Sequence, residues 1–183
     1  MSRSTLTLAL LAGLAGVGYY IWKSMARSNA DPTSANVAAF LAMLRHSEGT
    51  DQYADPWGTY YGGAQFSDKS DHPAITGVEQ AVDGPSGPTT AAGAYQIEET
   101  TWTDLGGRSH YGDFSDDAQD RAALDLIERR GATSAMESGQ FAQAVALLGK
   151  EWASLPGSPY GQPVNTLADL QSFYQSQGGA VAA

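Results

Sequence analysis

The chain contains no cysteine. Disulfide stapling, thiol nucleophiles and thiolate metal sites are therefore excluded, and stability has to come from packing. Positive charge is also scarce. Ten Lys and Arg stand against twenty Asp and Glu, for a formal charge of −10. That balance argues against nucleic acid or anionic lipid as the main partner, because both are bound through clustered cations. With so few cations, any substrate binding is expected to depend little on salt. The three histidines, His46, His72 and His110, are scattered with no paired spacing along a helix, so no metal site is expected. P-loop, dinucleotide and GxSxG elements are missing as well, and no cofactor is expected.

What the chain has is enough apolar and aromatic residues for one packed domain, with four Trp and nine Tyr among 183 residues. Its 21 glycines imply turn-rich stretches between helices. Leu6 to Trp22 is an apolar run broken only by Thr7, flanked by Arg3 before it and by Lys23 and Arg27 after it. It sits at the lower length limit for a bilayer span, and its many Ala and Gly make it weakly hydrophobic. Residues 1–27 are read as a signal-anchor or transmembrane-type helix. It is retained, cleaved near Ser28-Asn29-Ala30, or released from the bilayer after export. Residues 28–36 form a polar linker, and residues 37–179 form the globular domain, followed by a short tail at 180–183.

Within the domain, Val37, Phe40, Leu41 and Leu44 recur at helical spacing. Asn36 stands before them as N-cap and Gly49 after them as the stop. Residues 50 to 90 are rich in Gly, Asp and Tyr and read as a small irregular β-hairpin lobe, with "DGPSGPTT" as a flexible connector. A short helix is expected around Ile97 to Leu105. A second runs from Ser115 to Arg130, with acids at its start and bases at its end. A third, striped by Phe141, Val145, Leu148 and Trp152, spans Gln140 to Ser154, and a last helix is capped by Thr166. The fold class is α+β, mostly helical with one small β-hairpin lobe.

Chemistry must then rest on carboxylates. In "MLRHSEGT" Glu48 falls in the last turn of the first helix, where the negative end of the dipole and any burial both disfavour its charge. A raised pKa is what a general acid needs near neutral pH. A glutamate at a helix end is more often a solvated surface residue, so placement alone leaves both readings open.

Five segments bear on the choice: "FLAMLRHSEGT", "YYGGAQFSDKSDHP", "TTAAGAYQI", "DFSDDAQDRAAL" with "IERRGA", and "EWASLPGSPYGQ". In order and spacing they resemble the phage lambda endolysin family, lysozyme-like lytic transglycosylases that cut peptidoglycan between N-acetylmuramic acid and N-acetylglucosamine. The resemblance covers residues 37–179. It implies a lysozyme-like fold and makes Glu48 the catalytic acid and base. Glu48 would protonate the glycosidic oxygen and then accept the proton of the muramic acid 6-hydroxyl, which closes on the anomeric carbon to give a 1,6-anhydro product.

The "AAGAYQ" segment is similar to the glutamine-bearing element of lytic transglycosylases and goose-type lysozymes, which places Gln96 near the catalytic glutamate. Tyr95, Tyr160, Gln162 and Tyr60 are expected to meet the glycan, with core packing an equal alternative for Tyr95. Trp102 and Trp152 fall on helical stripes and read as core. The implied partners are peptidoglycan strands and, through the N-terminal helix, the inner membrane. The catalytic domain would lie in the periplasm, as a monomer.

Two rival readings remain. "SEGTDQYADPWGTYY" also resembles the T4-lysozyme type of hydrolytic muramidase, in which Asp55 would assist a water. Against this, Asp55 is followed by Pro56 and lies close to Glu48. From another class, the domain could be an inactive glycan-binding or structural virion component.

Overall fold

The computed structural model describes residues 32–77, 82–84, 87–161 and 165–182. The expected membrane segment, residues 1–27, and Gln162 lie outside these. Among the described residues, no helix is long and apolar enough to cross a membrane.

Helix α1, Pro32–Ser47, starts earlier than its sequence pattern suggests. Asn36 is one turn inside it and caps nothing. Its amide instead donates to the Glu137 carbonyl at 2.9 Å, and its oxygen accepts from the Ala180 N–H at 2.8 Å. Proline serves well at a first helical turn, where the missing N–H would have no partner. The linker expectation therefore fails over residues 32–36. The tail is also tied down, because the Ala182 N–H donates to the Gly139 carbonyl and Val181 packs on the core.

Short 3-10 turns at Thr50–Gln52 and Pro56–Gly58 follow, then α2, Pro73–Thr76. Strands β1, Val82–Gly84, and β2, Gly87–Thr89, form a two-stranded antiparallel sheet that pairs Asp83 with Pro88. This is a correction: the segment read as a flexible connector is the hairpin. The "WGTYYGG" piece holds only isolated bridges, Thr59 with Gln65 and Tyr60 with Ala92. Proline is tolerated because a two-stranded sheet consists only of edges.

The remaining elements are helical: α3, Glu99–Asp104; α4, Gly107–Tyr111; α5, Asp116–Arg129; α6, Thr133–Glu137; α7, Phe141–Leu148; and α8, Leu167–Ser176. Helix α5 has its expected bounds, and Thr166 caps α8 by accepting from the Asp169 N–H. Helix α7 stops six residues short of its expected end. The chain then turns so that Trp152 is buried off the helix, its indole donating to the Tyr95 carbonyl at 3.1 Å.

Two aromatic clusters make up much of the core. Phe40 of α1 meets Phe141 and Tyr174 edge-on, with ring centroids at 5.9 and 6.2 Å, which fixes α1 against α7 and α8. Trp102 stacks on Tyr111 and meets Phe114 edge-on, both at 4.9 Å, and its indole donates to Asp71. Burying each large ring contributes about 2–3 kcal/mol, and the first cluster anchors α1 against α7 and α8.

Candidate active site

Gly49 ends α1 in a left-handed conformation, φ 70°, and Glu48 lies just before it, its N–H still bonded to the Leu44 carbonyl at 3.0 Å. The side chain lines a groove of about 530 Å³. Ser154 Oγ donates to Glu48 Oε1 at 2.6 Å, and Ser47 Oγ lies 3.0 Å from Ser154 Oγ. Asn165 fixes this corner by donating from Nδ2 to the Ser47 carbonyl at 3.1 Å. The Glu48 carboxyl is reached from the groove but enclosed by protein on its other sides. Desolvation pushes its pKa up from 4.5 to about 7, against the lowering effect of the Ser154 hydrogen bond. Half of such groups are therefore protonated near neutral pH, which is the state of a general acid.

The opposite wall comes from residues 91–97. The N–H groups of Tyr61, Ala92, Gly93 and Ile97 bond to the Ala91, Ile97, Thr59 and Ala92 carbonyls respectively. Gln119, fully buried on α5, staples this loop. Its oxygen accepts from the Ala94 N–H at 2.8 Å, and its amide donates to the Trp57 and Phe114 carbonyls at 3.0 and 2.8 Å. The tight turn leaves Gln96 with φ 48°, the one non-glycine residue with positive φ among those described. Gln96 lines the groove together with Glu48, and its amide donates to the Gly93 and Thr59 carbonyls at 2.9 and 3.2 Å. An observed left-handed glutamine at a groove is the kind of strain that marks functional loops.

Tyr60 and Tyr160 also line the groove, Tyr160 about half exposed with its hydroxyl on the Lys150 carbonyl. Tyr95 does not reach it. The ring is fully buried, and its hydroxyl accepts from Arg45 at 2.8 Å and donates to Asp120 at 2.6 Å. Tyr95 takes the core, as Ala94 and Ile97 do, while Gln96 faces the groove. Asp55, the rival partner of Glu48, is not a groove residue. It pairs with Lys69 at 3.0 Å, and Lys69 also binds Asp116.

Several groove residues escaped the sequence pattern. Glu98 accepts three hydrogen bonds, from the Thr89 and Thr90 hydroxyls and the Thr90 N–H. Arg129, Arg130, Lys150 and Glu151 stand together on the groove wall. Ser154 is visible only as part of the "EWASLPG" segment. A pattern search for carboxylate-anchoring serines has no signal to follow when donor and acceptor are 106 residues apart.

A mainly helical lobe, a small sheet and one glutamate at a helix end facing a groove define a lysozyme-like glycosidase. In solved structures the chain is similar to the bacteriophage lambda lysozyme complexed with a chitohexasaccharide. The TM-score is 0.72 at 33% identity, over 85% of this chain and 99% of that one. A second solved lysozyme from bacteriophage lambda gives a TM-score of 0.69 at 32% identity, with the same coverage. The endolysin of Escherichia phage P2 is 36% identical over 160 residues, 82% of this chain and 97% of its own length. That of Escherichia phage lambda is 35% identical over 148 residues, 78% of this chain and 91% of its own. The Endolysin family profile matches residues 38–181. The chain belongs to the endolysin family, phage enzymes that degrade bacterial peptidoglycan.

Proposed function

We propose that this endolysin cleaves the β-1,4 bond between N-acetylmuramic acid and N-acetylglucosamine by transglycosylation, with Glu48 as acid and then base. The observation that carries this reading is the carboxyl inventory of the groove. Glu48 has a pKa near 7, whereas the other two groove carboxylates are engaged, Glu98 by Thr89 and Thr90 and Glu151 by two arginines. A retaining or inverting hydrolase uses a second carboxylate beside the bond to act as nucleophile or to activate water. A single acid/base suffices if the muramic acid 6-hydroxyl attacks within its own sugar, because holding the two groups together supplies much of the barrier reduction. Glu48 protonates the leaving oxygen, takes the proton from the 6-hydroxyl, and is regenerated neutral.

Gln96, Tyr60 and Tyr160 line the groove with Glu48 and contact the strand in this reading, since amides suit N-acetyl groups and aromatic faces suit sugar rings. The likeness to a lysozyme solved with a chitohexasaccharide supports a groove suited to β-linked amino sugars. The apolar run near the N-terminus fits export of the domain to the periplasmic side, where the wall lies. Fractionating expressing cells and sequencing the mature N-terminus tests that step.

The reaction is tested by mass spectrometry of soluble fragments from purified sacculi. Anhydro-ended products, lighter by one water than reducing-ended ones, are expected. Reducing ends would instead establish a hydrolytic muramidase, and no release at all would leave a binding protein.

A further inference from the structure

The described residues contain seven Lys and Arg: Arg45, Lys69, Arg108, Arg121, Arg129, Arg130 and Lys150. Three of them, Arg129, Arg130 and Lys150, line the groove that holds Glu48. In a chain of net charge −10, that concentration of cations on one wall calls for a ligand. Glu151 organises it. Its side chain is only 7% exposed, and its two oxygens accept from Arg129 Nη2 at 2.8 Å and Arg130 Nε at 2.7 Å. Each guanidinium has five N–H donors, and the pairing with Glu151 uses one from each. Arg129 and Arg130 remain 42% and 33% exposed. Lys150 is exposed, and its ammonium meets no partner among the described residues. Within this cluster three cations meet one carboxylate, and of the groove's other carboxyls Glu48 is half protonated near neutral pH and Glu98 is bonded to Thr89 and Thr90.

We propose that Arg129, Arg130 and Lys150 form a carboxylate-binding rim for the peptide carried on muramic acid, so that peptide-bearing strands are preferred over bare glycan. This rests on the reading of Glu48 as the cleaving acid. Muramic acid is the sugar that closes on itself in that reaction, so its lactyl-linked peptide leaves the strand close to Glu48. Lys150 and Glu151 share one short segment with Ser154, which holds Glu48, and Glu151 draws Arg129 and Arg130, at the end of α5, to that segment. The three cations therefore line the same groove as Glu48, where the group projecting from the reacting sugar passes. The glycan backbone of a peptide-bearing strand is uncharged, because each lactyl carboxyl is amide-bonded to its peptide. The free carboxylates of an acidic stem peptide match it through charge-assisted and bidentate hydrogen bonds. The rim also revises the expectation of salt indifference: the cations are few, but they are gathered where substrate passes.

The test compares cleavage of peptide-bearing strands with cleavage of the same strands after amidase removal of the peptides and carbodiimide amidation of the lactyl carboxylates so exposed. It uses the wild type, Lys150→Ala/Arg129→Ala and Lys150→Arg. Arg130 is kept so that Glu151 retains a partner. The wild type is expected to favour peptide-bearing strands by about tenfold in kcat/KM, expressed in KM and reduced by added salt. The double variant should lose most of that preference and Lys150→Arg should keep it. If the double variant folds poorly, Lys150→Glu, at an exposed ammonium, gives the same reading. A wild type indifferent to the peptides, or a variant that keeps the full preference, overturns the rim. Glu48→Gln, assayed alongside, reports separately on the cleavage reading: full activity in that variant removes the mechanism, whereas strand preference bears on the rim alone.

Discussion

Ser154 Oγ donates a 2.6 Å hydrogen bond to Glu48 Oε1, and the Glu48 pKa nevertheless stands near 7. Burial outweighs the hydrogen bond, so the serine acts as a partial brake that keeps the acid within reach of neutral pH. Replacing Ser154 with Ala removes an interaction that favours the carboxylate, and the pKa rises further. In the proposed reaction cleavage requires the protonated acid, so activity is expected to fall as pH rises through the Glu48 pKa. In Ser154→Ala that alkaline fall should move upward by about 0.5–1 pH, the size expected for one hydrogen bond to a partly screened charge. A pH profile of kcat/KM on sacculi reads this directly, and an unmoved alkaline limb would break the link between the two residues.

Glu48 also makes stability depend on pH. Its folded pKa of about 7 lies above the unfolded value of 4.5. The fold therefore favours the neutral form. The contribution is fully present below about pH 4.5 and is lost as pH rises through about 7. Glu48→Gln cannot ionise and escapes that loss. It should be more stable than the wild type by about 1–3 kcal/mol at about pH 8, with the difference shrinking towards acid pH. Activity should fall by about 10²–10⁴-fold in the same variant, as for loss of a general acid. Thermal melts at several pH values, paired with turbidity assays, separate the two effects; equal pH dependence of melting in both proteins counts against a buried Glu48.

How far the sequence reveals this site depends on the range of each interaction. Gly49 as a stop, Thr166 as a cap and the charge-ordered helix α5 are legible because their determinants lie within a turn of chain. The start of α1 is not, because Asn36 is occupied by Glu137 and Ala180, 101 and 144 residues away. Glu48 is legible as a candidate because a helix end is visible in the pattern. Its protonation is not, since the enclosing Ser154 and Asn165 arrive from the other end of the domain. Tyr95 is ambiguous in the sequence for the same reason: its partners Arg45 and Asp120 decide core against groove. The cations of the wall, hidden in an acidic composition, become a cluster only when α5 and residues 150–151 meet.

Asp55 separates two mechanisms. It pairs with Lys69 outside the groove, and Lys69 keeps Asp116 as a second partner. Asp55→Asn should therefore retain activity within about twofold and cost less than about 1 kcal/mol, as for an exposed ion pair. A water-assisting carboxylate would instead cost about 100-fold or more. Steady-state rates on purified sacculi decide between the two.

The loop carrying Gln96 depends on a glycine for two separable reasons. Gly93 has φ 77°, and a Cβ there would collide with the Gln119 side-chain oxygen and amide carbon. Gln119 is the buried staple that accepts from the Ala94 N–H, so it cannot move aside without leaving that donor unpaired. Gly77 has nearly the same backbone, φ 75°, with no atom within 4 Å of a built Cβ. Comparing the two isolates the collision from the left-handed conformation. Gly77→Ala should cost about 1 kcal/mol for conformation alone. Gly93→Ala should cost about 2–4 kcal/mol, because overpacking and a broken buried hydrogen bond add to it. In whatever fraction stays folded, displacement of the loop should raise KM through Gln96, whereas Gly77→Ala should leave KM as it was. Chemical denaturation of both variants beside their kinetics measures this; equal costs would mean that the Gln119 staple does not set the groove wall.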